Sequence, residues 1–130
     1  MYEMPRNDAE AVGNVFHSNC PARYLLSKIA GKWGLLIIDA LQHGPMRNGE
    51  LMRQIEGISQ KMLTQTLREM AEMQLVERND IQSIPPHVEY FLTPLGEELR
   101  EKICALDRWV EENMQQMVAK NASIPLRLTD

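Results

Sequence analysis

From Pro21 to about Met73 the apolar positions recur with the period of a helix, and glycines divide the pattern into segments. Cys20-Pro21 opens the first, because proline is favoured at the first helical position, where its missing N–H is no loss. Tyr24, Leu25, Leu26, Ile29 and Ala30 follow before Gly31 interrupts. The second segment runs over about 32–42, with Trp33, Leu36, Ile37, Ala40 and Leu41 on one stripe. Leu35 and Ile38 widen that stripe until the helix is apolar nearly all round, which predicts the buried centre of the fold. Gly44-Pro45 ends it. Asn48 is the expected cap of a short third helix, with Leu51, Met52 and Ile55 inward. Gly57 breaks the chain again. Ser59 is then the expected N-cap of a fourth helix to about Met73, with Met62, Leu63, Leu67 and Met70 toward the core. Two helices joined by a tight glycine-containing turn make a helix-turn-helix.

Beyond Met73 the period changes. Leu75-Val76-Glu77-Arg78 and Val88-Glu89-Tyr90-Phe91-Leu92 read as two strands. The connection 79–87 contains two prolines and is too long for a tight hairpin. Thr93-Pro94 caps and starts a last helix, with Glu97 and Glu98 near its positive end. The expected fold is therefore mainly α with a small β-hairpin wing, a winged helix-turn-helix. Leu99, Ile103, Leu106, Val110, Met114 and Met117 step along one face of the last helix, which is longer than one small domain can cover. Part of that stripe is expected to meet a second subunit. The domain is placed at 20–119, between a flexible N-terminal arm (1–19) and a loose tail (120–130).

Composition narrows the class. Hydrophobic residues at 44% and charged residues at 25% are ordinary globular fractions. The longest apolar run, Leu35 to Ile38, is far short of the roughly 20 residues that span a bilayer. Two cysteines make no disulfide framework, and the polar, acidic start does not read as a signal peptide, so a cytoplasmic location is expected. The net charge of −4 argues mildly against nucleic acid as a partner. Its distribution argues the other way: residues 20–55 hold Arg23, Lys28, Lys32, Arg47 and Arg53 against only Asp39 and Glu50.

The candidate chemistry lies on the fourth helix. Gln60, Lys61, Thr64, Gln65 and Arg68 occupy the side away from its apolar stripe. Glutamine can read adenine edges, while Lys and Arg reach guanine or phosphate. Ser59, at the helix start, is placed for a phosphate. Arg47 and, at the wing base, Arg78 are candidate backbone clamps. A solvated polar face is the competing reading, and the flanking turn and hairpin favour DNA. Cys20 precedes a helical proline, where the helix's positive end favours thiolate; with exposure, that makes a thiol oxidisable. A small buried residue at a helix start is the alternative, and residue chemistry alone leaves the two open. Cys104, beside Ile103 in the last helix, reads as structural. No nucleophile elbow, Gly-rich phosphate loop or zinc-ligand spacing is present, so no catalytic residue, metal or cofactor is expected.

Cys-Pro-Ala-Arg-Tyr (20–24), Gly-Lys-Trp (31–33), Gly-Ile-Ser-Gln-Lys-Met-Leu-Thr-Gln-Thr-Leu-Arg-Glu-Met (57–70), Leu-Val-Glu-Arg (75–78), Pro-Pro-His-Val-Glu-Tyr (85–90) and Leu-Thr-Pro-Leu-Gly (92–96) together resemble the HxlR family of bacterial transcription regulators. The resemblance implies a winged helix homodimer, paired through its N-terminal and last helices, on double-stranded DNA with a palindromic operator. It also implies a regulator, expected to be a repressor, with Cys20 as a candidate sensor of oxidants or electrophiles. His87 stands where members usually carry arginine after Pro-Pro, which implies a weaker or pH-dependent wing contact with phosphate. Two alternatives remain: the same fold gated by a small ligand at the dimer interface, and a winged helix used only to bind proteins.

Overall fold

The computed structural model describes residues 14–119. Residues 1–13 of the expected arm and the whole of the expected tail (120–130) lie outside the described residues. Residues 14–19 form hydrogen-bonded turns that lead into Cys20. Helices α1 (Pro21–Ile29) and α2 (Lys32–Ala40) follow, then a 3-10 turn (Leu41–His43). Strand β1 (Met46–Arg47), α3 (Asn48–Gln54), α4 (Gln60–Glu72), β2 (Val76–Ile81), β3 (His87–Leu92) and α5 (Pro94–Ala119) complete the order. Among the described residues no helix is long and apolar enough to cross a membrane.

The core lies where α2, α3 and α4 meet the sheet. Ile37, Ile38, Leu41, Leu51, Leu63, Leu67, Met70 and Val76 are its largest fully buried side chains. Burying each of them stabilises the fold by about 1.5–3 kcal/mol relative to exposure. α2 packs on both α4 and α5, so it is the shared wall of the domain. It is not apolar in use all round, however. Leu36 is exposed, and Asp39 is half-buried.

The helix-turn-helix depends on Gly57. Its φ of +91° lies in the left-handed region that side chains other than glycine's rarely adopt. Buried Ile55 and Ile58 flank it and fasten the turn to the core. Ser59 caps α4 as expected: its Oγ accepts the Met62 N–H at 3.0 Å. Asn48 does not cap α3. Arg47 holds that position, and its backbone N–H donates to Glu50 Oε1 at 2.8 Å, so an acidic residue one turn on satisfies the helix start.

The sheet is antiparallel in the order β1-β3-β2. Asn79 pairs with Glu89 and Ile81 with His87, so the arms continue well into the stretch expected as loop, leaving 82–86 as the turn. β1 was not expected; it pairs Met46 with Tyr90 and Arg47 with Glu89. At the far end, the Thr93 hydroxyl donates to the Gln74 carbonyl (2.7 Å) and accepts the Gly96 N–H (3.0 Å). Gly96 lies directly against the Leu75 carbonyl, where any Cβ would collide. This contact fixes the root of α5 to the exit of α4.

Candidate nucleic-acid interface

Every residue expected on the outer face of α4 is there. Gln60, Lys61, Thr64, Gln65 and Arg68 are exposed, while Leu63, Leu67 and Met70 on the other side are buried and Met62 is half-buried. Thr66 joins the inner face, its hydroxyl donating to the Met62 carbonyl at 2.7 Å. The apolar spacing did not include it, because a helix-bonded threonine hides its polarity in the backbone of the preceding turn. The helix is thus held rigidly from behind and presents a polar surface.

That surface is partly organised. Gln60 Nε2 donates to Thr64 Oγ1 at 3.1 Å, which orients one amide along the helix. Gln60, Lys61, Thr64, Gln65 and Arg68 line an open groove of about 550 Å³, closed at its end by Glu69 and Glu72. Glu69 is turned away by Lys28 of α1, whose Nζ donates to Glu69 Oε2 at 3.1 Å. This hydrogen bond and the carboxylate charge hold the Lys28 pKa above its ordinary value. The acidic side chains of the groove thus sit at its C-terminal end, beside Arg68, and Lys61 stands at the other end among Gln60, Thr64 and Gln65.

The remaining candidates divide by position. Ser59 is exposed at the α4 N-terminus, but its Oγ is engaged as the cap. Arg47 is exposed at the start of α3, in strand β1. Arg78 and His87 lie on the wing. Arg78 pairs with Asp80 at 3.2 Å, both more than half exposed, so this surface pair opens at little cost. His87 Nε2 is 3.7 Å from Glu89 Oε2, and its Nδ1 is 3.4 Å from Ser83 Oγ. The wing tip carries Ile84, fully exposed between Ser83 and the two prolines.

Cys20 occupies the N-cap of α1, as its sequence position implies, and it is only 1% exposed. Cys104 is half-buried on α5. On the same two helices Tyr24, Leu25 and Leu26 of α1, and Leu106, Trp109, Val110, Met114 and Met117 of α5, are all exposed. Trp109 was not part of the expected stripe. An apolar recess of about 540 Å³ opens between the two helices, with Leu25, Ile29, Met73, Leu75, Leu95 and Leu99 in its walls.

Residues 28–118 match the model of the HxlR-like helix-turn-helix family. The uncharacterized HTH-type transcriptional regulator YtfH of Escherichia coli K12 is 43% identical over 107 residues, covering 82% of this chain and 85% of that protein. The solved structure of a transcriptional regulator ytfH from Salmonella typhimurium superposes with a TM-score of 0.78 at 42% identity, covering 83% of this chain and 96% of the other. The redox regulator HypR in its reduced form gives a TM-score of 0.70 at 32% identity, covering 76% and 98%.

Proposed function

This chain belongs to the HxlR-like helix-turn-helix family of transcriptional regulators, and from that premise we propose that it is a homodimeric repressor of a palindromic DNA operator. The single observation that carries this reading is the outer face of α4. Gln60, Lys61, Thr64, Gln65 and Arg68 stand on a helix whose opposite side is locked into the core. Such a face supplies base-reading amides and phosphate-seeking cations with little ordering cost. Arg47 and Arg78 flank it as backbone contacts, and His87 on the wing exchanges Glu89 for a phosphate when protonated.

The dimer reading is supported by the uncovered apolar residues of α1 and α5. At 1.5 Å per residue, the 26 residues of α5 extend about 39 Å, beyond what its own domain covers. A second copy packed there sets the distance between two α4 helices, and hence the half-site spacing.

Cys20 is the proposed gate. It stands at the N-cap of α1, one of the two helices of the proposed dimer surface, and HypR is named as a redox regulator. Because the thiol is buried, oxidation requires the start of α1 to open locally, and an enlarged, modified sulfur then does not fit back into its site. The recess between α1 and α5 favours a second reading, in which a small apolar ligand is the signal. Its volume falls within the roughly 300–1,000 Å³ of small-molecule sites.

The test is operator release. Duplexes retained by the protein from fragmented genomic DNA are titrated with wild type, Cys20→Ser and Cys104→Ser, with and without diamide. Release of wild type and Cys104→Ser, but not Cys20→Ser, is expected. Equal release of all three moves the switch elsewhere, and no release favours the ligand reading.

A further inference from the structure

Lys28 lies in the last turn of α1, and Glu69 in the last turn of α4. Their side chains meet: Lys28 Nζ donates to Glu69 Oε2 at 3.1 Å, with 34% of the lysine and 25% of the glutamate side chain exposed. Among the described residues this ion pair joins two helices, whereas Arg78–Asp80 and His87–Glu89 stay within the wing. Three helices close at this point. A Cβ placed on Gly34 of α2 would stand 3.0 Å from the Lys28 carbonyl oxygen and 3.3 Å from the terminal methyl of Met70 on α4. The end of α1 is therefore seated on α2 beside the residue that follows Glu69, and the Lys28 side chain has a short distance to cross. The Tyr24 ring, one turn back on α1, lies 5.7 Å from the ammonium and steadies it there.

Glu69 also belongs to the wall of the groove on the outer face of α4. It stands four residues after Gln65, a spacing at which an amide and a carboxylate on one helix can hydrogen-bond. A carboxylate released from Lys28 has two ways to spoil that face. It can accept from the Gln65 amide N–H groups, which would otherwise be offered to a base. Its charge also repels the phosphates of a duplex lying in the groove. Paired with Lys28, the carboxylate has its charge offset and its lone pairs drawn toward α1. An ion pair with both members partly exposed contributes little to stability by itself. Its leverage is on the groove.

We propose that Lys28 is a positioning residue for DNA reading: it holds the Glu69 carboxylate off Gln65 and away from the phosphates, and so couples the seating of α1 to the competence of α4. Lys28 acts through Glu69 and touches neither base nor phosphate. Displacement of α1 from its seat at Gly34 withdraws the ammonium and returns Glu69 to the groove. α1 is one of the two helices of the proposed dimer surface and carries Cys20 at its N-cap, so a change on that surface reaches the recognition face by this route. The effect on DNA rests on the proposed function. The restraint of Glu69 does not, and it is measured separately in the free protein.

Duplex binding at constant salt by wild type, Lys28→Met, Glu69→Ala and the double variant Lys28→Met/Glu69→Ala tests it. Methionine keeps the apolar stem of the lysine and removes the ammonium. Lys28→Met is expected to bind the duplex selected on wild type several-fold more weakly, while Lys28→Arg, which keeps a charged donor, binds like wild type. In the Glu69→Ala background the change to methionine should cost less than about twofold. Equal losses in the two backgrounds overturn the proposal, because Lys28 would then act on DNA or on the fold directly. Wild-type affinity in Lys28→Met overturns it as well. NMR of the Gln65 side-chain amide in the free full chain is the second readout. Its signals should move in Lys28→Met, and those of the double variant should coincide with those of Glu69→Ala. An amide unmoved by Lys28→Met overturns the restraint of Glu69 whether or not a duplex is selected. Where wild type selects no duplex and the amide moves as expected, the restraint stands and the DNA reading fails.

Discussion

The two longest helices use their apolar residues in opposite ways. α4 buries Leu63, Leu67 and Met70 inside its own chain and shows solvent a polar row. α5 buries little beyond Gly96 and Ile103, and leaves Leu95, Leu106, Trp109, Val110, Met114 and Met117 exposed. A helix satisfied by its own domain is free to be read by a polar partner. One that is not satisfied lowers its free energy by finding an apolar partner, and Trp109 is 54% exposed on it. The first is a fixed tool, the second an unfinished interface.

The largest effect that sharpens this contrast is in the core. Leu63→Ala is expected to destabilise the chain by about 2–5 kcal/mol, measured by urea unfolding, because the cavity is walled by other core residues. Met114→Ala on α5 should change monomer stability by less than about 0.5 kcal/mol. Comparable losses in the two variants would break the distinction.

Next comes association. Trp109→Ala is expected to weaken dimerisation by about 2 kcal/mol or more, read by sedimentation across concentrations, while far-UV circular dichroism stays unchanged. An unchanged association constant would mean that the exposed stripe is not the interface.

On the polar side the effects are smaller and differ in kind. Gln65→Ala should cost about 1–3 kcal/mol on the selected duplex and relax preference at one base pair. Arg47→Ala should weaken all duplexes alike and reduce the salt slope by about one. The opposite assignment of these two phenotypes would place base reading at the start of α3 instead.

Much of this organisation was legible in the sequence, and the limits have physical reasons. Long stripes announced α2, α4 and α5, and Ser59 and Thr93 announced helix starts, because caps and amphipathic periods are local properties. β1 was not legible: two residues carry no period, and Met46-Arg47 becomes a strand only because β3 offers an edge. The wing arms ran longer than expected for a related reason. Asn79 and Asp80 are poor strand formers, and cross-strand pairing overrides their propensity. The outer face of α4 was complete from spacing alone. The burial of Cys20 was not, since a cysteine before a helical proline is compatible with either environment.

Binding of a selected duplex by wild type and by the Lys61→Ala/Gln65→Ala double variant, each over a range of salt, is the most direct test. The duplex comes from a random library enriched on wild type. Wild type should bind it in preference to scrambled sequence, with affinity falling steeply as salt rises. The double variant should remain a folded dimer, lose most of that preference, and show a slope shallower by about one, the share of Lys61. Equal affinity, preference and salt slope in the two proteins would contradict the assignment of DNA reading to the outer face of α4.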